Sequence, residues 1–151
     1  MNNAFVTSKK DVDLAVVDTE IQRIVREVFD DALTAKRSGD WWFIRHDTFP
    51  GFGCSVTIAG KRKLRFRRSS SDVFSGWVQS VLQSNLGILL QGKCSDEGLG
   101  KVTWDPKKEH FPTWNSYFNE LFGEDPKIAE VLWQNQVAQL PPDLLKLAEK
   151  R

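Results

Sequence analysis

The sequence predicts an α+β domain in which a small antiparallel sheet of three to four strands is packed by helices, in the order α-β-β-β-α-(β)-α-α. Three observations lead there. Apolar residues recur at helical spacing on both sides of segment 41–68. That segment itself alternates apolar and polar residues between glycine-bearing turns. The last third of the chain returns to helical spacing, now punctuated by proline.

Ile21, Ile24, Val25, Val28, Phe29 and Ala32 share one face of a first helix, with Arg23, Glu27, Asp30 and Asp31 on the remaining arc. Asp18 or Thr19 is expected to cap it, and an earlier turn with Leu14 and Val17 extends it backward. Lys36 and Arg37 suit its negative end, and Ser38-Gly39 stops it. Trp41 to Asp47 and Cys54 to Ala59 read as strands joined through Thr48-Phe49-Pro50-Gly51-Phe52-Gly53. Gly60 then turns the chain into a third strand over 61–68, giving a meander whose core face is Val56, Ile58, Leu64 and Phe66.

Ser69-x-x-Asp72 offers capping chemistry to a helix whose stripe runs through Phe74, Trp77, Val78, Val81, Leu82, Leu86 and Leu89. Segment 91–112 is polar and glycine-rich, a loop or a short strand at Val102-Thr103-Trp104. Thr113 is expected to cap a helix carrying Trp114, Tyr117, Phe118, Leu121 and Phe122. Asp125-Pro126 opens another with Ile128, Val131, Leu132 and Trp133 facing in, Pro141-Pro142 breaks it, and Asp143 caps a last helix through Lys150. The expected organisation is one domain over 1–151, with its core in 11–90 and C-terminal helices over 113–151.

With 151 residues, 40% of them apolar and six tryptophans, the chain can bury a core without disulfides. Cys54 and Cys94 lack the spacing of a zinc or thioredoxin motif and are expected to stay reduced. No secretory signal or membrane span is read in the sequence, so the expected setting is the cytoplasm, with no membrane partner.

Net charge is only +1, yet it is segregated. Residues 1–40 hold 6 basic and 8 acidic side chains, 41–104 hold 9 and 4, and 105–151 hold 6 and 8. The excess lies in Lys61-Arg62-Lys63-Leu64-Arg65-Phe66-Arg67-Arg68. On a strand, Leu64 and Phe66 enter a core while Lys63, Arg65 and Arg67 form a cationic row on the other side, with Ser55 and Thr57 beside them. Such a row positions a phosphate backbone, with Lys61, Arg62 and Arg68 adding charge. The competing role is protection of a sheet edge, or pairing with acids.

Trp41-Trp42-Phe43 must send rings to both faces. Trp41 or Phe43 then either stacks on unpaired bases beside Arg65 or is covered by the C-terminal helices. The expected function is a non-enzymatic domain that binds a polyanion, nucleic acid first, without cofactor or metal. The alternative is a protein-interaction domain (inhibitor, immunity-type protein, adaptor or chaperone) that meets an acidic protein or a second copy of itself.

Enzymatic constellations are sparse. Arg45-His46-Asp47 and Glu109-His110 carry groups suited to acid–base or metal chemistry, but consecutive strand residues diverge. The helix, three strands, helix, strand order resembles the core of many metal-dependent nucleases. Asp47 can stand for that family's first acid, but 61–65 contains no acid for the second, so no metal site is carried over. The order is also similar to that of double-stranded RNA-binding domains and small secretion-chaperone-like domains. The former place a basic cluster at the start of the second helix, where this chain has Ser69-Ser70-Ser71-Asp72.

Overall fold

A computed structural model of the chain describes residues 4–96, 101–104, 106 and 123–149. It is α+β, as expected, but the sheet has seven strands rather than three or four. In chain order the elements are β1 (Ala4–Thr7), α1 (Leu14–Glu27), β2 (Thr34–Ser38), β3 (Trp41–Arg45), β4 (Gly53–Gly60), β5 (Lys63–Arg68), α2 (Val73–Leu89), β6 (Lys93–Asp96), β7 (Lys101–Trp104), α3 (Pro126–Val137) and α4 (Pro142–Ala148). The strands lie in the order β2-β3-β4-β5-β1-β6-β7, each antiparallel to its neighbours.

The expected meander is present as β3, β4 and β5, and Val102-Thr103-Trp104 lies in β7. The first helix is shorter than expected at its far end. Asp13, not Asp18 or Thr19, caps it by accepting from the Ala15 N–H at 2.9 Å, and Val28 closes it. Asp30 and Asp31 then take φ of +50° and +57°, which ends the helical path. Lys36 and Arg37 therefore sit not at a helix end but in β2, which pairs with β3 across the two-residue turn Gly39-Asp40. Gly39 has φ +61°, the sign a type II′ hairpin turn asks of its first central residue.

β1 and β6, absent from the sequence reading, complete the sheet. β1 is inserted between β5 and β6, so α2 carries the chain over β1 to reach β6. Helix α2 is buried almost all round, from Phe74 to Gly87. Of the expected capping stretch Ser69-Ser70-Ser71-Asp72, it is Asp72 that caps the helix, accepting from the Ser75 N–H at 2.8 Å, and the Ser75 hydroxyl in turn meets the 51–53 turn. At Gly87 an added Cβ would lie 2.9 Å from the Cys94 sulfur, so glycine permits the close approach of α2 to β6.

One apolar cluster fills the space between sheet and helices. It takes Ala4, Val6, Trp42, Ile44, Val56, Leu64 and Phe66 from the strands, Val17, Ile21, Ile24 and Val25 from α1, and Phe74, Trp77, Val78, Val81 and Leu82 from α2. Leu144, Leu147 and Ala148 of α4 join the same cluster, so this helix packs on the core side of the sheet. Within α3 the expected facing is only half right. Leu132, Trp133 and Val137 pack inward, while Ile128 and Val131 are 57% and 61% exposed. Asp143 lies inside the first turn of α4 rather than capping it. The helix expected after Thr113 lies outside the described residues.

Candidate nucleic-acid interface

Strand alternation gives the other face of the sheet its own inventory. In register, Ser38, Trp41, Thr57, Arg65, Phe5, Ser95 and Thr103 form one row across all seven strands. Beside it runs Lys36, Phe43, Ser55 and Arg67, and on its other flank Lys63 stands opposite Thr7, which stands opposite Lys93. With Arg45 next to Phe43 along β3, this face holds Lys36, Arg45, Lys63, Arg65, Arg67 and Lys93, and no acid occupies any of its described strand positions. Asp47 lies just past the end of β3, with one carboxylate oxygen 3.7 Å from the Lys36 ammonium.

The rings and cations interleave. Trp41 and Phe43, two residues apart on β3, stand with ring planes 6° from parallel and centroids 5.9 Å apart. The Arg45 guanidinium lies 4.8 Å from the Phe43 centroid, that of Arg65 lies 5.9 Å from Trp41, and the Lys63 ammonium lies 4.2 Å from Phe5. To meet Trp41, Arg65 reaches over Thr57, which is only 5% exposed although it belongs to this face. Ser38, Trp41, Phe43, Ser55 and Arg67 enclose an open groove of about 310 Å³.

Of the residues singled out in sequence, Lys63, Arg65, Arg67, Trp41 and Phe43 are thus brought together. Lys61 and Arg62 lie in the turn between β4 and β5, exposed at the margin, where the Arg62 Nε donates to Asp11 at 3.0 Å. Arg68 takes the opposite face. Its side chain is 11% exposed and its guanidinium lies 3.6 Å from the fully buried Asp96 carboxylate. The Gln79 amide also donates to Asp96, at 2.7 Å, and Gln83 donates to the Ser95 carbonyl at 2.9 Å, so a polar seam runs between α2 and the strands. Phe5, Lys36, Arg45 and Lys93 were not singled out for this face. Phe5 and Lys93 lie in strands too short to show alternation, and Lys36 in a strand that reads as helix.

The acid–base candidates are placed otherwise. His46 is buried, its Nδ1 accepts from the Thr48 and Phe49 N–H groups at 3.2 and 3.0 Å, and its Nε2 meets the Asp143 carboxylate at 2.9 Å. Two backbone donors on Nδ1 fix the ring proton on Nε2, which donates to Asp143. Both nitrogens are therefore engaged, and the pair ties α4 to the end of β3. The Cys54 thiol is buried, and burial pushes its pKa up to about 12, the opposite of an activated nucleophile. Glu109 and His110 lie outside the described residues. Among the described residues no three His, Cys, Asp or Glu side chains gather as metal ligands, and no helix is long and apolar enough to cross a membrane.

Comparison of the chain with protein-family models, with curated proteins and with solved structures found no match.

Proposed function

We propose that this protein is a binding domain that engages nucleic acid through the phosphate backbone, using the sheet face that carries Lys63, Arg65 and Arg67. The single observation that supports the reading most is the charge of that face: six cations from four strands and no acid on its described strand positions. Edge protection does not explain this arrangement, because β5 lies inside the sheet between β4 and β1, where no edge needs guarding. Pairing with acids explains it no better, since the intramolecular partners of Arg65, Lys63 and Arg45 are aromatic rings rather than carboxylates. A cation over a ring still has open directions for a phosphate oxygen.

The Ile128 and Val131 side chains exposed on α3 favour a second reading, in which the partner is an acidic protein or another copy of the chain. Salt separates the two. Phosphate binding weakens linearly on a log–log plot by about 0.7 to 0.9 per neutralised phosphate, whereas an interface anchored on apolar side chains resists salt. The test is a titration with labelled DNA and RNA at several salt concentrations, with an Arg65→Glu/Arg67→Glu variant alongside. Steep salt dependence that is lost in the variant supports nucleic-acid binding. Absence of binding at low salt overturns it and directs the search to an acidic protein.

A further inference from the structure

We propose that the Trp41–Phe43 pair, with Arg67 beside it, seats an unpaired nucleobase, so that the ligand of this face is single-stranded nucleic acid rather than a duplex or a bare polyanion. The inference rests on the phosphate-binding reading and narrows it. Attraction of phosphate needs cations and nothing more, yet this face spends three positions, Phe5, Trp41 and Phe43, on rings that the apolar core does not use. Each ring stands beside a cation, which is the composition of a surface that grips backbone and base together.

Geometry selects the single strand. The groove walled by Trp41 and Phe43, rimmed by the Ser38 and Ser55 side chains and flanked by Arg67, is about 310 Å³, at the small end of ligand sites, and two near-parallel rings form its apolar wall. That is room for one flat group. In a duplex the base faces are hidden in the stack, and only edges and phosphates are offered outward. A single strand can turn a base face onto a ring. Along β5, Lys63, Arg65 and Arg67 follow at about 7 Å intervals, so cations continue away from the groove beside the path of the backbone. In the free protein Arg65 rests on Trp41 and Arg45 on Phe43. A bound phosphate offers these guanidiniums a charged partner while the base takes the ring face, which couples the two halves of recognition.

The test uses four competitors with matched phosphate number: a single-stranded oligonucleotide, its duplex, an abasic strand with the same sugar–phosphate chain, and inorganic polyphosphate. Each is titrated against the wild-type protein and against Trp41→Ala and Trp41→Phe, with circular dichroism as the check on folding. The single strand is expected to bind about tenfold or more tightly than the abasic strand. Trp41→Ala is expected to lose about that factor for the single strand alone, and Trp41→Phe to retain most of it. Equal binding of abasic and base-bearing strands, a duplex that equals the single strand, or a Trp41→Ala loss shared by all four competitors overturns the base seat and leaves the phosphate reading standing. If none of the four binds, both fall. The wild-type ranking decides the question even if Trp41→Ala fails to fold.

Discussion

Arg67 and Arg68 are adjacent on one strand and lead opposite lives. Arg67 is exposed beside the Trp41–Phe43 groove, while Arg68 turns under the sheet to a carboxylate that is itself fully buried. In water a guanidinium costs nothing to keep. Under the sheet the same group loses much of its hydration, and the Asp96 charge must compensate for it. The two faces therefore differ less in composition than in what a charge there requires: the buried pair demands a fixed partner inside the fold, and the open row is free to take one from outside.

That contrast can be broken from the buried side first. Leu64→Asp places an unpaired carboxylate at a fully buried position and is expected to abolish cooperative folding, read as loss of the unfolding transition in urea. Asp96→Ala leaves Arg68 charged and unmatched and is expected to cost about 3–5 kcal/mol by urea denaturation. A stability within about 1 kcal/mol of wild type would show that water reaches Arg68 and that the pair is not truly interior.

Alkaline pH probes the same interior. The folded Cys54 thiol has its pKa raised to about 12 from an ordinary 9.0 by burial, so the stability tied to the neutral thiol is intact below pH 9 and is lost as pH rises toward 12. Between pH 9 and 10.5 the wild type is expected to lose up to about 2 kcal/mol more than a Cys54→Ala control, measured by urea denaturation at each pH. The smallest effect on stability belongs to the open face. Arg65→Glu/Arg67→Glu is expected to shift unfolding by only about 0.5 kcal/mol, because both side chains are exposed. A loss of several kcal/mol instead would place these arginines among the structural charges and sink the contrast.

Much of the open face was legible because β5 alternates strictly from Lys63 to Arg67, with a cation at every other residue. The meander and α2 were legible for the same reason, strong periodicity over enough residues. β1 and β6 have four residues each, too few for a period of two to stand out from chance. β2 was hidden by its neighbour: Ala32 continues the helical stripe of α1, and Lys36 and Arg37 suit a helix C-terminus, so local preference and tertiary pairing disagree there and pairing wins. The burial of Arg68 follows from parity alone, since it shares a face with Leu64 and Phe66. Its partner Asp96 is 28 residues away in sequence, across α2, and no local pattern announces it.

The placement of β1 has a consequence for how the protein comes into being. This strand leaves the ribosome before every other described element, yet its two partners are β5 and β6, some 60 and 90 residues later. The β2–β5 strands are joined by local turns, whereas the β6–β7 pair is connected to them in the sheet only through β1, whose pairings both close long loops. Because Phe5 lies on β1, the row from Trp41 through Arg65 is completed by that same pairing. Completion of that row and closure of the sheet are one step, and a chain stalled short of it would display its cations on a frame cut in two.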